Sequence, residues 1–311
     1  MKGLRVHFQS FCKEIKRNRV LFLMLMPVVL YLFVFCYIPM PGVYIAFVNY
    51  NINKGIFGSQ FVGFRNFHFL ILNGDLWRIT RNTLLYNIVF LLLGNLIQMI
   101  FAIMTAEVAS KWFKKTSQAI ILLPTFMSMV IVGVFAYNML NYNYGFVNSL
   151  LASMGLPRFD FYSSPGVWKY IIVAFKLWAG TGYGMIIYLA TITGFSQEIY
   201  EAAYIDGANN WKKIRYITLP MLRPTFILLC LFSLGGILKG SFDLFYNLIG
   251  NNSVLYPQTD IIDTYVFRSL MGQFNFSLGS AVGFYQSFFG LILVLAVNLL
   301  IRKVEPESAL F

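Results

Sequence analysis

The chain has 311 residues, 58% hydrophobic and 12% charged, with a mean hydropathy of +0.67 and a formal net charge of +12. Soluble domains carry about 25% charged residues, so this composition excludes an ordinary soluble protein and places the chain in the membrane class. In that class the positive charge reads as Lys and Arg gathered in cytoplasmic loops, not as a nucleic-acid surface. Cys12, Cys36 and Cys230 lie far apart, two of them inside hydrophobic runs, and form neither a metal site nor a disulfide framework.

In residues 1–19, Leu4, Phe8, Phe11 and Ile15 recur at helical spacing among Arg5, Lys13, Lys16 and Arg17. That pattern predicts an amphipathic segment on the inner membrane face. A spanning helix needs about 20 apolar residues. Six runs qualify: 20–47, 83–108, 118–140, 168–193, 222–240 and 279–301. The first is too long in its apolar core for a signal peptide and no A-x-A site follows it, so it reads as a retained span. Segments 48–82, 141–167 and 241–278 connect the spans on one side and are rich in Asn, Gly, Tyr and Phe.

Placing the N-terminus inside puts fifteen of the 24 Lys and Arg residues in residues 1–19, the two loops after spans two and four, and the tail. The bias predicts both termini in the cytoplasm. No G-x-x-x-x-G-K-[ST] sequence occurs, so any ATP-driven work needs an energy source on another chain. His7 and His68 are the only imidazoles, and no pair of ionisable groups inside the spans has acid–base or metal-ligand spacing. These features count against a membrane-embedded enzyme and a metal site.

The loop between spans four and five contains "EAAYIDGANNWKKIRYITLP", residues 201–220. Glu198, Glu201 and Asp206 come first and Lys212, Lys213 and Arg215 last, the order a helix dipole favours. Ala202 and Ala203 permit close approach, Gly207 permits a sharp turn, Asp206 is placed to cap it, and Pro220 and Pro224 are expected to stop or redirect the chain before span five. A short helix with a small-residue face, held by two spans, suits a groove on a partner.

This stretch resembles the EAA motif of binding-protein-dependent ABC importer permeases. The matching positions are Glu201, Ala202, Ala203, Gly207, Ile217, Leu219 and Pro220, with Asp206 and Ala208 in the Asp-Gly-Ala form common in sugar permeases. "FVGFRNFHFLI", "RNTLLYNIVF" and "ILLPTFMSMVIVG" extend the resemblance to the carbohydrate subgroup that includes lipoprotein and polysaccharide permeases. It implies an all-α, six-span type I importer permease in the bacterial cell membrane, with permease residues 20–311 and a coupling loop at 196–220. It also implies a second homologous permease and two ATPase subunits that hold ATP and Mg. An extracellular lipoprotein then delivers an oligosaccharide, and this chain itself holds no cofactor; the length and the Asn, Tyr and Gln content of 48–82 and 241–278 suit those segments to a shallow, wet docking surface for that lipoprotein. A permease for a peptide, amino acid or phosphate ester is the alternative, and a structural scaffold the remaining one.

Polar groups within spans tend to face a cavity. On that ground Tyr137, Asn138, Lys176, Trp178, Tyr183, Lys239, Asp243, Tyr246, Tyr285 and Gln286 are candidates for the substrate path. Lys239 and Asp243 are four apart and pair if they share a helical face.

Overall fold

The computed structural model describes Glu14 and residues 17–304. Most of the proposed amphipathic segment therefore lies outside the described residues. The first span runs Arg19–Phe47 as helix α1 (Arg19–Leu32), a π turn and a 3₁₀ run, Met40–Phe47. Pro39 and Pro41 supply no backbone N–H there, which favours the change in helix type. A two-residue antiparallel ladder, Val48–Phe61 and Asn49–Gln60, leads to α2 (Arg65–Leu72). Gly74, at φ 72°, then turns the chain into α3 (Asp75–Glu107).

The next span is broken. α4 (Lys111–Leu122) and a short 3₁₀ turn meet α5 (Met129–Leu140) at 98°. The sequence predicted one continuous helix over 118–140. Pro124 interrupts the helical bonding, and Ser128 starts α5 afresh, its hydroxyl accepting from the Ile131 N–H at 3.4 Å. Outside the spans lies α6 (Phe146–Ser153), followed by α7 (Pro165–Thr193), α8 (Gln197–Ile205) and the helical run Asn210–Leu234, whose last part is α9 (Leu219–Leu234). α10 (Phe242–Ile249), α11 (Ile262–Phe267) and α12 (Phe276–Val304) complete the chain. Five helices are long and apolar enough to span, and the bent pair makes six.

α3 and α7 form the central pair. Where α7 crosses the bend before α5, Gly182 leaves no room: a Cβ there would sit 2.6 Å from the Ile121 carbonyl oxygen. Three apolar clusters hold the bundle. One joins Tyr86, Trp168, Ile172 and Phe245, with the Trp168 indole donating to the Phe161 carbonyl at 2.7 Å. A second joins Ala46, Leu70, Ile79, Ile262 and Ala281, and a third joins Ala102, Met185, Tyr188 and Leu222 at the opposite end.

α9 and the segment after it correct the sequence reading in two ways. Pro220 and Pro224 lie inside one helical run, Pro220 in the first turn of α9 just after a π turn at Ile214–Thr218 and Pro224 within the helix. Span five instead stops at Leu234, where Gly235 and Gly236 begin a turn. Lys239 lies in that turn and Asp243 in the first turn of α10, so the two share no helical face and form no ion pair.

Candidate functional site

α8 stands at the exposed end of the bundle. Its C-terminus is closed by Gly207, at φ 77°, with the Gly207 N–H bonded to the Tyr204 carbonyl (3.0 Å) and the Ala208 N–H to the Ala203 carbonyl (2.9 Å). These two bonds satisfy carbonyls the helix would otherwise strand. Asp206 is the last, exposed residue before the glycine, and its carboxylate makes no hydrogen bond among the described residues. The next turn is capped by Asn209, whose Oδ1 accepts from the Lys212 N–H at 2.9 Å, so the cap predicted at Asp206 falls to Asn209.

Glu201, Ala202, Asp206, Gly207 and Pro220 are exposed, while Ala203, Ala208 and Leu219 are half-buried. Tyr204 and Ile205 present their side chains outward at 75% and 83% exposure, beside a shallow groove lined by Gln197, Tyr200, Glu201 and Lys213. Solvent alone gives no reason for two such residues at the end of a short helix. The helix is nonetheless fixed. The Tyr200 hydroxyl lies 3.0 Å from that of buried Thr218, and Ile214, Leu219 and Phe195 pack on the third apolar cluster.

The second feature is a cleft of about 660 Å³ between α3, α7, α9 and the 235–241 turn. α3 contributes Asn87, Leu91, Asn95 and Gln98, spaced by four, four and three residues and therefore on one helical face. α7 contributes Lys176 and Tyr183. Lys176 Nζ donates to Ser241 Oγ at 2.9 Å and lies 5.6 Å from the Phe90 ring centre. Asn95 accepts from the Tyr188 hydroxyl at 3.1 Å, and Gln98 donates to the Gly180 carbonyl at 3.3 Å. Polar side chains from other elements hold the turn. Asn87 donates to the Ile237 and Lys239 carbonyls (2.6 and 3.2 Å) and Gln286 to that of Leu238 (2.8 Å). Asp263 Oδ2 accepts from the Gly240 N–H at 2.6 Å. Burial pushes the Asp263 carboxyl up, against those hydrogen bonds and the nearby charge of Lys239.

Three predicted path residues, Lys176, Tyr183 and Lys239, meet in this cleft. The others lie elsewhere. Trp178 stacks on Phe135 at 5.7 Å, and Tyr137 meets Tyr144 and Tyr162 edge-on outside the cleft. Asn138 bonds its own helix through the Val134 carbonyl. Asp243 is exposed, Tyr246 packs between Phe242 and Phe267, and Tyr285 accepts from the Thr80 hydroxyl at 3.2 Å. Gln286 acts behind the turn, not in the cleft. The stripe of amides on α3 was missed, although its spacing is readable in an otherwise apolar span.

Among the described residues no group of His, Cys, Asp and Glu is placed to hold a metal ion.

The chain is 34% identical to Protein LplB of Bacillus subtilis, over 96% of this chain and 93% of that protein. It is 32% identical to the polygalacturonan/rhamnogalacturonan transport system permease protein YteP of the same organism, over 94% and 90%. Its fold superposes with a TM-score of 0.85 and 32% identity on a chain of a bacterial ABC transporter involved in the import of the acidic polysaccharide alginate, covering 95% of this chain and 99% of that one. Another matching structure shows the alginate transporter in complex with an alginate pentasaccharide-bound periplasmic protein (TM-score 0.83, 32% identity, covering 94% and 97%). Residues 85–306, from the α3 amide stripe past the exposed α8 and through span six, match one family throughout. A six-span bundle with that match is a multi-pass membrane permease of the bacterial importer type, and the chain belongs to the binding-protein-dependent transport system inner membrane components.

Proposed function

We propose that this chain is one of two permeases in an ATP-driven importer of oligosaccharides or complex-glycan fragments, and that the cleft between α3, α7 and α9 is its half of the translocation path. The observation that carries the reading is a polar, ring-lined cleft of about 660 Å³ inside a chain similar over nearly its whole length to a polysaccharide permease. Amides and rings are the groups that hold sugar hydroxyls and apolar sugar faces. In this arrangement α8 is the coupling helix, with Glu201, Ala202, Ala203, Asp206, Gly207, Ala208, Leu219 and Pro220 seated in or beside a cleft of an ATPase subunit. The ATPase pair binds ATP and Mg, both termini are cytoplasmic, and an external binding protein delivers the glycan to the outer segments.

α1 supports a second permease, because none of its residues is buried within this chain. A strain lacking this chain should lose uptake of its labelled oligosaccharide while the binding protein still captures it outside. Restored uptake on re-expression, with ATPase recruited to the membrane, completes the test. Undiminished oligosaccharide uptake in the deletion strain refutes it.

A further inference from the structure

The cleft holds positive charge and no negative charge. Among its lining side chains, Lys176 and Lys239 are the cations, and none is a carboxylate. Neither lysine makes an ion pair among the described residues. Lys176 has only the Ser241 hydroxyl and the Phe90 ring as neighbours for its charge. It sits eleven residues into α7, about 16 Å along the helix from Pro165. Asp263 is the carboxylate that feels Lys239, yet it is no part of the lining and already accepts from Gly240 and Gln286. Because Lys176 bonds to Ser241, two residues beyond Lys239, the two lysines line the same end of the cleft, Lys176 partly buried and Lys239 exposed.

A partly buried ammonium without a counter-charge inside a spanning bundle, as at Lys176, is costly, and the exposed Lys239 adds positive potential to the same cleft. A neutral sugar would leave that cost in place whenever the cavity closes on it. A carboxylate removes it by converting each ammonium into a charge-assisted hydrogen bond. The same pair therefore rewards an anionic sugar and penalises a neutral one.

We propose that the cleft selects oligosaccharides built of uronic acids, with Lys176 and Lys239 as specificity-determining groups that bind sugar carboxylates and with the α3 amides on the remaining hydroxyls. Lys176 exchanges its bond to Ser241 for the substrate. This rests on the reading of the chain as an oligosaccharide permease.

The test uses the whole importer, with its second permease, ATPase and binding protein, in proteoliposomes. The probes are short oligogalacturonides, their methyl esters and neutral oligosaccharides of equal length, compared at equal occupancy of the binding protein. Wild type should take up the uronides, and the methyl esters about tenfold more slowly. Lys176→Met and Lys239→Met should each cut uronide uptake about tenfold or more, the loss of one charge-assisted contact, with ATPase still co-purifying. Lys176→Arg and Lys239→Arg should recover most of it. Uptake of neutral oligosaccharide but not uronide by wild type overturns the proposal and leaves the oligosaccharide reading standing. So does equal uptake of uronide and ester. Equal uronide uptake by wild type and both Met variants also overturns it. Uptake of a peptide or amino acid with no oligosaccharide of either kind overturns the functional reading itself.

Discussion

The hydroxyl of Tyr200, on the exposed helix α8, lies 3.0 Å from that of Thr218, buried where α9 begins. This contact ties the exposed helix α8 to the start of a helix that walls the cleft. If α8 has the proposed coupling role, a push on it would pass to α9 through this side-chain contact as well as through the chain. Removing the hydroxyl costs about 0.5–1.5 kcal/mol. Tyr200→Phe should therefore keep the ATPase bound while transport per ATP hydrolysed falls by a few fold, read from paired uptake and hydrolysis rates. An unchanged ratio would show that the contact carries no force.

The turn after α8 offers a sharper test. A Cβ on Gly207 meets nothing within 4 Å, so any penalty there comes from the backbone at φ 77° alone. That conformation costs a β-branched residue about 1–2 kcal/mol and is far easier for Asn. Gly207→Val should release or uncouple the ATPase and Gly207→Asn should largely retain it, scored by co-purification and stimulated hydrolysis. Ala203→Asp, which places charge on the half-buried face of the same helix, should behave like the Val variant. Glu201→Ala, losing one exposed charge, should weaken assembly without abolishing it.

Away from the path, stability rests on an ion network at the other end of the bundle. Buried Asp260 receives both Arg268 nitrogens, at 3.0 and 2.7 Å, and Arg78 at 3.5 Å. The Arg268 guanidinium also lies 4.1 Å from the Tyr256 ring centre. Arg268→Ala leaves the buried carboxylate only Arg78 at 3.5 Å and the Thr264 hydroxyl at 2.9 Å and should cost about 3 kcal/mol, seen as a lower Tm in detergent. The charge-neutral pair Asp260→Asn with Arg268→Gln should be less harmful than Arg268→Ala. The reverse order would mean that the pairing is not what holds the segment.

Two glycines in α7 separate packing from propensity. A Cβ on Gly182 would meet the Ile121 carbonyl oxygen at 2.6 Å and Leu122 Cα at 2.7 Å, while Gly180 has open space. Gly182→Ala should destabilise by about 1–3 kcal/mol and Gly180→Ala should be neutral or mildly stabilising. Thermal melts of the two variants in one detergent decide it.

Much of this was legible because apolar runs and charge placement follow rules that the bilayer enforces. Six spans and the exposed helix between spans four and five are visible on those grounds, and Gly207 takes the left-handed shape its place in the motif suggests. The start of α3 at Asp75, eight residues ahead of the expected boundary, was hidden because Arg78 and Arg81 look like loop residues. Yet Arg78 is paired with Asp75 at 2.8 Å. The break at Met127–Ser128 was passed over although Pro124 and Ser128 mark it, because the run around them is apolar enough to span. Lys239 and Asp243 looked like helical neighbours because spacing is visible in a sequence and a turn at Gly235–Gly236 is not. Which polar residues face the cleft depends on how α3 and α7 rotate against each other. Chain order could nominate Lys176 and Tyr183 but not exclude Trp178 or Tyr285.

Orientation in the membrane is checked by cysteine labelling. Gly55→Cys, in the segment after the first span, should react with an impermeant reagent from outside, and Lys213→Cys, beside α8, should react only after permeabilisation. The opposite pattern would place α8 outside and separate it from any cytoplasmic ATPase.

The most direct measurement is accumulation of a labelled oligosaccharide in proteoliposomes containing this chain, its second permease and the ATPase. The account predicts uptake against a gradient only with ATP on the α8 side and the loaded binding protein on the other, abolished by Ala203→Asp. Uptake that persists without ATP or without the binding protein, or that is untouched by Ala203→Asp, would contradict it.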